Sequence, residues 1–155
     1  MHSVQIDLEL DTSPGRAFAA FTREFGRWWP RDYSYSGELM EDLVLGGEPG
    51  AACSEFGPEG FRIDFGRILE WAPPEQLSFS WQITPDSRPE PDPNKASRVT
   101  ICFAKLGGTT RVRLIHDQFE RHGDGAEAYA EEMGSAEGWP HIMALFQAYA
   151  GRPTL

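Results

Sequence analysis

Cysteine is scarce in this chain, long apolar runs are missing, and positive charge is in deficit. The two cysteines, Cys53 and Cys102, lie far apart and form no Cys-x-x-Cys pair. They read as reduced thiols of a cytoplasmic protein, with a lone Cys53–Cys102 disulfide left open as the alternative. No apolar run exceeds five residues (17–21 and 142–146). A membrane-spanning helix needs about 20, so no membrane insertion is expected. Lys and Arg total 14 against 24 Asp and Glu, a formal charge of −10. That charge repels a phosphate backbone, which is bound through Lys and Arg that displace counterions. Nucleic acid is therefore excluded as a partner, and docking on an anionic leaflet is opposed. The opening residues, Met1-His2-Ser3-Val4-Gln5-Ile6-Asp7, carry neither a basic stretch nor an apolar one. No signal peptide is expected.

Several chemical motifs are absent too. His116, Asp117, Glu120 and His122 are close in sequence but match no His-Glu-x-x-His or related spacing, so no metal is expected. Gly46-Gly47 and Gly107-Gly108 lack the Lys-Ser/Thr of a phosphate loop, and no Gly-x-Ser-x-Gly nucleophile elbow occurs. Nothing marks Cys102 as an activated nucleophile. No cofactor is expected.

What is present is aromatic. Five Trp, four Tyr and ten Phe make up 12% of 155 residues. The length fits one domain over residues 1–155. Sixteen Gly and 12 Pro favour many turns and short strands over a helix bundle.

The patterning fixes most elements. Val4, Ile6, Leu8 and Leu10 alternate with polar residues, the period of a half-buried strand. Ser13-Pro14 then starts a helix, with Pro at its first position. Phe18, Phe21, Phe25 and Trp28 follow at helical spacing, interrupted by Gly26 and Pro30, which predicts two short helices over 14–22 and 23–29. Short strands are expected near Leu43–Leu45 and Ala52–Phe56. A longer one runs from about Phe61 to Trp71, where Phe65, Leu69 and Trp71 share one parity and Ile68 the other. A bulge near Gly66 is expected to absorb that slip. Leu77, Phe79, Trp81 and Ile83 alternate cleanly, as do Val99, Ile101 and Phe103, and then Val112, Leu114 and His116. Proline-rich residues 85–96 read as a hairpin loop. A short helix is expected over 124–133. Trp139, Ile142, Met143 and Phe146 define an amphipathic C-terminal helix ending near Gly151. On the outer face, Arg67 and Arg113 are expected to pair with Glu70 or Asp117.

This order predicts an α+β domain. A curved antiparallel sheet of about six to seven strands would wrap around the C-terminal helix. Such a sheet is about 30 Å across and a helix about 10–12 Å wide. A cavity or the two small helices must fill the remainder.

The interior candidates follow. Phe21, Phe25 and Trp28 face inward from the first helices. Phe79, Trp81 and Phe103 do so from the strands, and Trp139, Met143 and Phe146 from the last helix. They serve either as ordinary core or as the lining of a pocket for a small apolar or aromatic molecule. His116 is the inward titratable group, either a hydrogen-bonded core imidazole or a polar anchor or acid/base in the cavity. Tyr33 and Tyr35 stand in a loop that would reach a ligand if it covers the pocket mouth.

Ordered motifs also carry a family likeness. Thr12-Ser13-Pro14-Gly15-Arg16-Ala17-Phe18 leads to Phe21-Thr22 and Trp28-Trp29-Pro30. Gly66-Arg67-Ile68-Leu69-Glu70 precedes Pro73-Pro74 and Leu77-Ser78-Phe79-Ser80-Trp81. Thr110-Arg111-Val112, Leu114-Ile115-His116, Phe119-Glu120 and Gly138-Trp139-Pro140 follow in order. The chain resembles the SRPBCC (START-like) superfamily, which has the helix-grip fold. Within it the chain resembles bacterial homologues of the C-terminal domain of the heat-shock-protein-90 ATPase activator. The resemblance implies an apolar pocket between sheet and last helix, but no single activity. Relatives include lipid carriers, hormone receptors, polyketide cyclases and co-chaperone domains. The leading expectation is a carrier or binding domain for a small hydrophobic ligand. A cofactor-free cyclase, dehydratase or hydrolase using the same cavity, and a chaperone-associated interaction domain, are the alternatives. A homodimer through a sheet edge or helix is also allowed.

Overall fold

A computed structural model of the chain describes residues 2–151. Seven strands form one antiparallel sheet: β1 Val4–Leu10, β2 Asp42–Leu45, β3 Ala52–Phe56, β4 Arg62–Ala72, β5 Gln76–Trp81, β6 Ser97–Leu106 and β7 Thr109–Asp117. Their order across the sheet is β1-β7-β6-β5-β4-β3-β2. Every connection after β2 joins neighbours, and the first strand closes against the last. Helices α1 Pro14–Thr22 and α2 Phe25–Trp28 follow β1, and α3 Ala126–Met133 and α4 Trp139–Ala150 end the fold. This is the helix-grip α+β architecture expected from the sequence.

The alternating segments fold as their period requires. In β6, Ser97, Val99, Ile101 and Phe103 are buried and their neighbours are not. In β7 the buried set is Thr110, Val112, Leu114 and His116. Ser13 caps α1 by accepting the Arg16 N–H, with Pro14 in the first turn.

Strand β4 carries the bulge expected near Gly66, and a second one after it. Ser54 pairs with Asp64 and Cys53 with Gly66, which leaves Phe65 unpaired; Ile68 pairs with Phe79 and Glu70 with Ser78, which leaves Leu69 unpaired. Two bulges therefore flank Gly66. Phe65 and Ile68 turn inward, while Leu69, which shares the parity of Phe65, is 47% exposed. Between the bulges β4 and β5 approach closely. A Cβ on Gly66 would lie 2.0 Å from the Ser80 carbonyl oxygen, so no other residue fits without moving a strand.

The outer-face pairs differ from expectation. Arg67 pairs with Asp64 and Arg113 with Asp7, and Glu70 pairs with Arg98. The bulges of β4 let Arg67 reach Asp64 along its own strand, while strand register brings Arg113 to Asp7 and Arg98 to Glu70, and parity along one strand specifies neither.

The concave face is filled chiefly by rings. Phe18 of α1 meets Phe103 at 5.4 Å and Trp71 at 5.2 Å. Phe21 and Trp28 meet Phe146 of α4 at 5.3 and 4.9 Å. Helix α4 has 12 residues, about 18 Å at 1.5 Å per residue, so it spans only part of the sheet. The two small helices supply the rest. Gln147 of α4 donates to the Glu9 carbonyl at 3.0 Å, engaging the outer edge of β1. No helix among the described residues is long and apolar enough to cross a membrane.

Candidate functional site

One cavity opens from the aromatic core. It lies between α2, strands β2 to β5 and the segment 31–39. Phe25, Trp29, Phe65 and Trp81 wall it, Leu43 and Ile83 add aliphatic surface, and Tyr33, Tyr35 and Glu55 complete the lining. Its volume is about 30 Å³, room for one or two waters. Drug-sized ligands occupy about 300–1,000 Å³.

Each wall has a local cause. Trp28 and Trp29 are adjacent at the end of α2, so they diverge. Trp28 turns into the core, where its indole donates to the Ala20 carbonyl at 2.9 Å. Trp29, at extended backbone angles, turns toward the cavity and meets Phe25 at 5.0 Å and Trp81 at 6.3 Å. The bulge at Phe65 aims that ring inward, 6.4 Å from both Phe25 and Trp81. Two single 3₁₀ turns, Arg31–Tyr33 and Gly37–Leu39, carry the tyrosines over the mouth. The Tyr33 hydroxyl donates to the Glu137 carbonyl at 2.8 Å, and Arg31 donates to the Met40 carbonyl at 2.6 Å.

Glu55 of β3 is 2% exposed. One carboxylate oxygen accepts the Tyr35 N–H at 2.9 Å. The other accepts the Ser36 N–H at 2.6 Å and the Ser36 hydroxyl at 2.7 Å. Burial, reinforced by the negative charge of Glu55, pushes the Tyr35 phenol up to about 12. It therefore stays protonated at neutral pH.

Of the ten interior candidates, Phe25 and Trp81 line the cavity. The other eight pack behind it. Phe79 and Trp139 back Trp81 at 6.5 and 5.5 Å. Phe21, Trp28 and Phe146 form the opposite cluster, with Phe103 at 6.3 Å from Phe21. Met143 is buried. Sequence reasoning did not single out Trp29, Leu43, Phe65, Ile83 or Glu55 as lining residues. The doubled tryptophan before Pro30 was the available signal, because two adjacent large rings cannot share one side of a short helix.

His116 is fully buried, 5.5 Å from Trp81. The Trp139 indole N–H lies 2.9 Å from its Nδ1. An indole N–H only donates, so Nδ1 accepts and the imidazole proton sits on Nε2. That proton points at Ser97 Oγ, 2.7 Å away, and the Ser97 hydrogen is left for His122 Nε2, also at 2.7 Å. The result is a one-directional chain from Trp139 to His122. Burial, and then the neighbouring His122, hold the His116 pKa well below its usual 6.5. Burial also lowers His122, against the opposing charge of Glu90. Beside this chain, the Tyr129 hydroxyl accepts the Trp81 indole N–H at 2.7 Å and donates to the Ile83 carbonyl at 2.9 Å. Trp81 is thus fixed from behind while its ring faces the cavity. Among the described residues no group of three or more His, Cys, Asp or Glu is placed to hold a metal ion.

A family model described as activator of Hsp90 ATPase homolog 1-like protein matches residues 11–151. The chain belongs to this family. A comparison with curated proteins finds no match. Among solved structures, this family member is similar to one described as an anthrahydroquino-gamma-pyrone synthase in a complex. The two share 29% identity over 96% of both chains, with a TM-score of 0.67. The chain is also similar to an Aha1 dimer from Colwellia psychrerythraea, with 14% identity, 97% of both chains covered and a TM-score of 0.65. A third is a self-sacrificing resistance protein, CalC, from Micromonospora echinospora, with 23% identity, 96% of this chain and 94% of that one covered, and a TM-score of 0.62. The last two likenesses show the shared activator-like fold alone.

Proposed function

We propose that the protein binds a small apolar or aromatic molecule in the cavity beneath residues 31–39. The observation that carries this reading is the convergence of Phe25, Trp29, Phe65 and Trp81 on one opening whose rim is formed by partly exposed Tyr33 and Tyr35. Ligand sites are mostly apolar, with a few polar groups that fix orientation; Glu55 and the two phenols supply those groups. The similarity to a synthase named for a polycyclic aromatic product supports an aromatic ligand. At about 30 Å³ the cavity is closed to such a molecule, so binding displaces residues 31–39. Quenching of tryptophan fluorescence by a neutral flavonoid, with native mass spectrometry for stoichiometry, tests this. Saturable one-to-one binding is expected, weakened at least about tenfold by Ile83→Trp, which fills the cavity. Unchanged affinity in that variant, or no bound mass, refutes the site.

A second reading, cofactor-free catalysis in the same cavity, is favoured by the buried Glu55 carboxylate and the Tyr35 phenol lining one opening. Glu55 would take a proton and Tyr35 would donate one. Under this reading Glu55→Gln abolishes turnover of a bound substrate while binding persists. Turnover that survives the substitution removes Glu55 from the chemistry.

A further inference from the structure

A carboxylate withdrawn from water is destabilised by several kcal/mol unless hydrogen bonds and an opposite charge replace the solvent. Glu55 has the first and lacks the second. All three donors that reach it, Tyr35 N–H, Ser36 N–H and Ser36 O–H, are neutral. No Lys, Arg or His among the described residues forms an ion pair with it. Oε1 receives one of the three bonds and Oε2 two, so Oε1 retains acceptor capacity. Around this uncompensated charge stand the rings of Phe25, Trp29, Phe65 and Trp81, with Tyr33 and Tyr35 at the rim. Aromatic faces carry a negative quadrupole that attracts cations, tryptophan most strongly. The chain as a whole bears a formal charge of −10, which raises the local concentration of cations around it. An anionic ligand would meet repulsion from all three sources.

We propose that the cavity is selective for a cation, and that its ligand carries an ammonium or quaternary ammonium group on an apolar or aromatic body. The nitrogen sits against Glu55 and the tryptophan faces, and the body extends toward the mouth beneath Tyr33 and Tyr35. This rests on the ligand-binding reading above and names the ligand class.

Isothermal titration near pH 7 with two isosteric probes, phenethylammonium chloride and phenethyl alcohol, separates the two ideas. The ammonium probe is expected to bind the wild-type protein at least about tenfold more tightly than the alcohol. Glu55→Gln is expected to remove that preference, read as the ratio of the two probes' affinities for the same variant, which falls to about one. Equal affinity of the two probes for the wild type overturns the cation proposal and leaves the cavity as a neutral apolar site. Failure of both probes to bind overturns both readings. The wild-type comparison decides the matter even if the glutamine variant does not fold.

Discussion

The hydrogen-bond chain through His116 predicts a specific acid sensitivity. A proton added to His116 would have to occupy Nδ1, where the Trp139 indole already presents its own hydrogen at 2.9 Å. The folded protein therefore resists protonation, and burial holds the His116 pKa well below 6.5. The unfolded chain has no such constraint and takes the proton at about 6.5. As pH falls through that value the unfolded state binds a proton the folded state refuses, so stability falls. With an unfolded pKa of 6.5 and negligible folded-state protonation, moving from about pH 7.5 to about pH 5.5 removes about 1.4 kcal/mol. His122, also lowered by burial, adds to the loss in the same direction. Carboxylates such as Asp7 and Glu24, held low by hydrogen bonds from Arg113 and Arg16, keep their full contribution above about pH 4 and lose it only below, as pH falls toward their lowered folded-state values. Urea unfolding of the wild type and of His116→Asn at the two pH values isolates the effect. The asparagine carbonyl replaces Nδ1 as acceptor for Trp139 but does not titrate. The variant should be less stable near pH 7.5, because it loses the contact with Ser97, and its drop toward pH 5.5 should be about 1.4 kcal/mol smaller. An identical drop in both proteins refutes the buried neutral imidazole and the chain built on it.

Two further outcomes follow from the same structure. Gly66→Ala places a methyl group 2.0 Å from the Ser80 carbonyl oxygen and should cost about 3 kcal/mol in urea unfolding. Gly108→Ala, where nothing lies within 4 Å, should stay within about 0.5 kcal/mol of wild type; equal effects would refute the close approach of β4 and β5. Cys53 is fully buried and burial pushes its thiol up to about 12, so a maleimide at mildly alkaline pH should label the half-buried Cys102 first, with Cys53 reacting only on unfolding. Two fast thiols would show that β3 opens readily.

Where one face of a strand is buried and the other wet, the sequence states the fold directly. Strands β1, β6 and β7 alternate without interruption, and the inward faces of their apolar residues follow from period two alone, although β6 begins at Ser97 and β7 at Thr109, ahead of the apolar alternation. In strand β4 the off-parity Ile68 signals one bulge, but two bulges each shift the parity by one, so Leu69 shares the parity of Phe65 yet faces water. The cavity was harder still. Ala52–Phe56 contains a glutamate that reads as an outward residue. Two of its three donors are backbone N–H groups of Tyr35 and Ser36, about twenty positions upstream, and the third is the Ser36 hydroxyl; no side-chain pattern encodes backbone donors. Tyr33 and Tyr35 were visible as candidates because they are two large rings in a loop, a placement that burial does not explain. His116 was visible from parity, but its partners Ser97, His122 and Trp139 become neighbours only through strand pairing and the docking of α4.

The filled interior determines which part of the molecule must move for a ligand to enter. Trp139 and Phe146 of α4 are completely buried, and removing one such ring from a core costs about 3–5 kcal/mol. Lifting α4 from the sheet would expose both, together with Met143, and break the Trp139–His116 bond. The segment 31–39 is held differently. The Tyr33 hydroxyl to Glu137, the three donations to Glu55 and the Arg31 bond to Met40 tie it down. Each such bond contributes about 1 kcal/mol, somewhat more where a charge is involved. The tyrosine rings at its rim are already 39–42% exposed, so little further apolar surface is uncovered when they swing out. The cheaper opening is therefore at the tyrosine segment, and it uncovers the side of the cavity that holds Glu55. On the cation proposal, a ligand entering there would meet the carboxylate as the segment releases it, and its positive charge would replace the hydrogen bonds that held the mouth closed.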